Sequence, residues 1–210
     1  MEQEVNCIRK KQGCLEELRK KQKTVIIGIM GIHSGAGVTT MSVAMANYMS
    51  AFLRKSTALS EYNDSRDFLK MREMCGDNRD YSQNSTKFSY KKNDFYPCGS
   101  TDIISLGNGG YDVVIIDFGA DLSAMEEFSR CHHRIIMSSL EPWRYGCYEK
   151  FCERIKAYGG SDSWLHILHG AVADINGVSH RFGTYSVKRP VIDNPFIINA
   201  TLIEFFETLF

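Results

Sequence analysis

The residues best suited to chemistry lie between Thr24 and Thr40. An apolar run, Thr24–Met30, feeds a glycine-rich turn, Gly31–Gly37, and a helical pattern opens at Thr39-Thr40 and continues to Phe52. Strand, glycine turn and helix N-terminus together make an anion cradle. The backbone N–H groups of the turn converge, and the helix dipole adds roughly half a positive charge. A phosphate-binding loop normally ends Gly-Lys-Ser/Thr, so that the lysine reaches the β/γ-phosphates and the hydroxyl holds Mg²⁺. Here the same positions read Gly37-Val38-Thr39. The glycine and the hydroxyl remain; the charge does not. Its loss removes a charge-assisted contact from a desolvated site.

A second segment belongs with the first. Tyr111-Asp112 leads into Val113-Val114-Ile115-Ile116 and ends on Asp117, followed by Phe118-Gly119. A strand-terminal aspartate can cap the turn that follows it. Asp121 is placed to cap a helix over Ser123–Arg130.

These motifs resemble the ParA/MinD group of P-loop ATPases, whose deviant loop reads Lys-Gly-Gly-x-Gly-Lys-Thr-Thr. That pattern falls on His33, Ser34, Gly35, Ala36, Gly37, Val38, Thr39 and Thr40. Gly35, Gly37, Thr39 and Thr40 match. The signature lysine, which in the family reaches across a dimer, is His33, and the phosphate-gripping lysine is Val38. The run ending at Asp117 is similar to the family's Walker B strand. Thr57–Asn63 falls where the family has a second strand and an Asp-x-Asp, with Glu61 and Asn63 off-pattern. The resemblance implies a nucleotide site built from His33–Thr40 and Asp117. ATP or ADP would bind there with Mg²⁺ on Thr39 and Asp117. With neither lysine present, it implies a degenerate positioning or scaffolding module, in partitioning or in secretion- or pilus-type assembly, rather than an efficient ATPase. The alternative is a Mg-ATP-binding ATPase or nucleotide sensor with a non-standard phosphate contact, for which His33, Arg66 and Arg144 are the candidate cations. Val38 is expected to place an apolar branch near the phosphates. No catalytic residue is assigned. Protein partners and a homodimer follow from the same resemblance.

The elements that must position these residues alternate. Strands are predicted at Thr24–Met30, Thr57–Ser60, Val113–Asp117, Arg134–Ser139, Trp164–His169 and Tyr185–Arg189. Helices are predicted at Thr39–Phe52, Asp67–Cys75, Ser123–Arg130, Tyr145–Tyr158, Asp174–Phe182 and Thr201–Leu209. Continuous runs such as Val113–Ile116 are the pattern of parallel strands covered on both faces. The fold class is therefore α/β: a doubly wound, mostly parallel sheet with helices on both faces, in three layers. Ligands in such sheets sit at the C-terminal strand edge, where Gly31–Gly37, Glu61–Asp64 and Phe118–Asp121 converge. Lys87–Tyr96 alternates weakly and suggests an edge hairpin, and Gly107–Gly110 a turn.

The 210 residues make one domain at 23–210, preceded by a polar tail or helix at 1–22. Up to Lys23 there are seven basic and four acidic side chains, with Val5, Ile8, Leu15 and Leu18 as a thin apolar stripe. This reads as a helical tail, or else as a partner or membrane contact. Net charge is zero, which argues against broad attraction to nucleic acid. Seven irregularly spaced cysteines without a Cys-x-x-Cys pair fit reduced thiols and a cytoplasmic location. No apolar run reaches the roughly 18 residues of a membrane span. Cys131-His132-His133 are consecutive, and His166 and His169 fall on opposite strand faces, so neither set makes a zinc site. Leu202, Ile203, Phe205, Phe206 and Leu209 in the last helix suit packing on the sheet better than membrane insertion. Its only charges, Glu204 and Glu207, are repelled by anionic lipid.

Overall fold

The computed structural model describes residues 24–75 and 86–210. The expectation of a tail at 1–22 lies outside the described residues. The chain runs β1 (Val25–Gly31), α1 (Val38–Asn47), β2 (Thr57–Glu61), α2 (Asp67–Cys75), β3 (Phe88–Tyr90), β4 (Asn93–Tyr96), α3 (Ile103–Gly107), β5 (Val113–Asp117), α4 (Met125–Ser129), β6 (His133–Ser139), α5 (Pro142–Ile155), β7 (Leu165–His169), α6 (Val172–Phe182), β8 (Tyr185–Lys188) and α7 (Ala200–Leu209). A π turn, Tyr48–Phe52, extends α1.

The eight strands form one sheet in the order β3-β4-β2-β5-β1-β6-β7-β8. Every pairing is parallel except β3 with β4. The weak alternation of Lys87–Tyr96 thus becomes a hairpin whose second strand joins β2 in parallel. Strand parity divides the core into two faces. Val25, Ile27 and Ile29 of β1 pack under α1, α2 and α7, together with Met41, Tyr48, Phe68, Leu202 and Phe206. Met30, Val114, Ile116 and Ile136 pack on the other face under α3 to α6, with Leu106, Phe128, Tyr148 and Ile175.

The terminal helix α7 lies on the sheet, as its sequence suggests. Leu202, Phe206 and Phe210 are buried, and the rings of Phe206 and Tyr48 are 5.0 Å apart. Among the described residues no helix is long and apolar enough to cross a membrane. Two differences from the sequence reading are local. α3 was not expected; Asp102 starts it by accepting from Ser105 N at 2.8 Å. Ser123–Arg130 divides into a 3-10 turn at Leu122–Ala124 and the short α4, with Asp121 capping the turn by accepting from Ser123 N at 2.9 Å.

Candidate functional site

β1 ends at Gly31 because the chain turns there beneath Gly119, whose carbonyl accepts from Gly31 N at 2.7 Å. The turn closes on Gly37, which has φ 89° and serves as N-cap of α1 without any side-chain cap. Glycine tolerates that backbone where other residues are strained. The first N–H groups of α1 therefore have no capping side chain, which is the arrangement an anion exploits.

The loop opens into a cleft of about 540 Å³ at the C-terminal edge of the sheet. All eight residues from His33 to Thr40 line it, with Asn63, Asp64, Ser65 and Asp67 after β2 and Gly119, Ala120 and Asp121 after β5. The three segments expected to converge do so. Asp117 lies beneath the cleft, fully buried. Its Oδ1 accepts from Gly119 N at 2.8 Å and from Asn63 Nδ2 at 3.2 Å. Its Oδ2 is buried with no hydrogen-bond partner. Burial pushes this carboxyl up to about 6; the charges of Glu61 and Asp67 add to the rise, while the Thr39 hydroxyl and Gly119 N–H draw it back. Thr39 thus faces the carboxyl without closing a bond to Oδ2.

Glu61, beside Asp117 in the β2–β5 ladder, is used locally. Its Oε1 accepts from Asp67 N at 2.7 Å and Ser65 Oγ at 2.9 Å, and Oε2 from Cys98 N at 3.3 Å. It ties down the start of α2 and does not face a ligand. Asn63 takes the cleft position instead, against a Gly119 (φ 57°) where any Cβ would lie 2.9 Å from Asn63 Cγ.

Two loop residues depart from the sequence reading. Val38 does not present its branch to the cleft. It is 6% exposed, and its Cγ2 lies 2.9 Å from where a Cβ on Gly31 would be, so the side chain turns down into the core under α1. His33 is held at both ring nitrogens. Nε2 accepts from Ser139 N at 3.2 Å, which puts the proton on Nδ1, 2.9 Å from the Ser34 carbonyl. In this pose it bridges the loop to β6.

The cleft is acidic. Asp64, Asp67 and Asp121 line it, and none of its described lining residues is Lys or Arg. Neither Arg66 nor Arg144 is among them. Lys70 stands at the margin, paired with Asp67 at 2.9 Å. The residue that the sequence reading missed is Arg189. Its Nη1 donates to the Ala36 carbonyl at 2.9 Å and packs 3.0 Å from the position of a Cβ on Gly37. The available signal was its place at the end of a predicted strand on the ligand edge.

A bound Mg²⁺ fits the residues present: beneath the loop the Thr39 hydroxyl lies beside the Asp117 carboxyl, whose Oδ2 is buried and without a hydrogen-bond partner. A triphosphate fits the backbone cradle but meets three carboxylates and, among the described lining residues, no Lys or Arg.

No protein-family model and no curated protein matches the chain. Solved structures do. A plasmid partition protein from Borrelia burgdorferi B31, bound to AMPPNP, superposes with TM-score 0.59 at 16% identity, over 89% of this chain and 97% of that one. A ParA family ATPase from Chlorobium tepidum TLS gives 0.59 at 15%, over 81% and 84%. A chain of the MinC:MinD cell division protein complex from Aquifex aeolicus gives 0.56 at 13%, over 77% and 79%. At these identities the likeness is one of architecture, and by architecture the chain has the fold of the ParA/MinD P-loop ATPases.

Proposed function

We propose that this chain is a ParA/MinD-like positioning or scaffolding module, of partitioning or secretion/pilus type, that works without an efficient ATPase cycle. The observation that carries the reading is the cleft itself. It keeps the backbone cradle, the Thr39 hydroxyl and Asp117, yet its described lining residues supply three carboxylates and no Lys or Arg. A nucleoside triphosphate with several negative charges is repelled by such a lining, and each lost charge-assisted contact weakens it further.

The partner surface is the feature such a module retains. Trp143, Val172 and Val191 are exposed on the segments that follow β6, β7 and β8, along the edge that carries the loop. Protein partners, a second copy of the chain among them, suit these apolar positions. The residues His33–Thr40 and Asp117 are the proposed nucleotide-derived site, in a cytoplasmic protein.

The orphaned Oδ2 of Asp117 favours a second reading, that of a Mg-nucleotide sensor or slow ATPase. In that case Thr39 and Asp117 hold Mg²⁺, whose chemistry is to neutralise phosphate charge, and the α1 N-terminus receives the phosphates. Arg189 then braces the loop through Ala36.

Imaging of a fluorescent fusion in its native cell separates the two. Thr39→Ala removes the metal-facing hydroxyl. The scaffold reading expects the variant to localise as the native chain does; a diffuse distribution for the folded variant contradicts it.

A further inference from the structure

Another cleft lies away from the loop, on the sheet face that carries α3 and α4. It is a cleft of about 680 Å³ lined by Ile26, Ile103, Ile104 and Tyr62, with Asp102 and Glu127 among its polar groups. A parallel sheet normally has both faces covered. Here α3 and α4 have five residues each, about 7.5 Å of helix apiece. The strand beneath has seven residues, about 23 Å. The helices are too short to cover it, so Ile26 on a central strand stays partly open and Ile104 is 77% exposed.

We propose that residues 1–23 of this same chain occupy the cleft, seating Val5, Ile8, Leu15 and Leu18 on Ile26, Ile103 and Ile104. Four observations point to this occupant. Thr24 itself lines the cleft, so the segment departs from its edge. The four apolar residues share one face at helical spacing, and the 14 residues from Val5 to Leu18 span about 21 Å as a helix, matching the strand below. The five residues between Leu18 and Thr24 make six Cα steps that reach up to about 20 Å, enough for the chain to fold back. Finally, the segment's seven basic and four acidic side chains give it a net positive charge facing Asp102 and Glu127. Arg130, on the same rim, is already paired with Glu126.

The test uses the full chain carrying Cys7→Ser and Ile104→Cys, oxidised at micromolar dilution and mapped by mass spectrometry. Docking expects an intramolecular disulfide between Cys14 and the introduced thiol, formed ahead of pairing with the exposed Cys98 and Cys147. Random pairing overturns the proposal. A disulfide between two chains also overturns it, and identifies a second copy as the occupant. A second variant, Leu15→Ser with Leu18→Ser, leaves the sheet intact. Amide exchange over Ile103–Gly107 and the start of β1 is expected to rise about tenfold in it. Unchanged exchange contradicts docking and leaves the cleft to a foreign partner.

Discussion

Arg189 donates from its guanidinium to the carbonyl of Ala36 at 2.9 Å, across 153 positions of sequence. This guanidinium is thus spent on the loop's backbone and is not among the described residues that line the cleft. A hydrogen bond to a charged group contributes about 1.5–3 kcal/mol, less where water competes. Arg189→Met is expected to cost about 1 kcal/mol of stability and to speed amide exchange at Ser34–Gly37. Denaturant unfolding and hydrogen exchange check both. Unchanged exchange in the loop contradicts the bracing role.

Asp117 sets a pH dependence with a definite sign. Burial raises its carboxyl from 3.8 to about 6. Between those values the folded chain holds a proton that the unfolded chain has released, so stability falls as pH rises through about 4 to 6 and stays lower above it. The shift corresponds to roughly 3 kcal/mol. Asp117→Asn keeps the acceptor for Gly119 N and removes the charge. It is expected to flatten the decline and to be more stable than the native chain at pH 8. Millimolar Mg²⁺ should raise the unfolding midpoint of the native chain at pH 8 and leave the variant unmoved.

Val38→Lys places a charge at the position whose native side chain fills the space beside Gly31. Lost packing is expected to cost about 1–3 kcal/mol. The lysine head can snorkel toward the cleft and restore one charge-assisted phosphate contact. The expected result is a lower melting temperature together with Mg-ATP affinity at least about tenfold higher than the native chain's. Loss of stability with no gain in affinity argues that the acidic lining, rather than the missing lysine, excludes nucleotide.

His33→Ala removes the bridge from Ser34 to β6 and leaves Ser139 N without its acceptor. A cost of about 1–2 kcal/mol is expected, with faster exchange at Ser139. His33→Lys also loses that acceptor, since an ammonium only donates. It should therefore be destabilised to a similar degree.

The sheet and the loop were legible in the sequence because both rest on local pattern. Val113–Ile116 has the pattern of a strand covered on both sides, and Gly35-x-Gly37 before Thr39-Thr40 has that of a tight turn opening a helix. Asp121 capped the turn it preceded. What was illegible depends on distance or direction. The contact of Arg189 with Ala36 is fixed by where β8 ends beside β7. Val38 was expected to face the phosphates; the packing of α1 on Gly31 turns it inward. Glu61 falls where the resemblance has an aspartate, yet the N–H groups at the start of α2 claim its carboxylate. The helix α3 has five residues, too few to show a period.

The proposed scaffold role turns on whether the loop still holds nucleotide. Calorimetric titration of the full chain with Mg-ATP and Mg-ADP, carried to millimolar nucleotide, tests it most directly. The acidic, lysine-free cleft predicts no saturable heat and no thermal stabilisation by either nucleotide. Saturable binding in the micromolar range contradicts the account, and would show that the backbone cradle, Thr39 and Asp117 suffice.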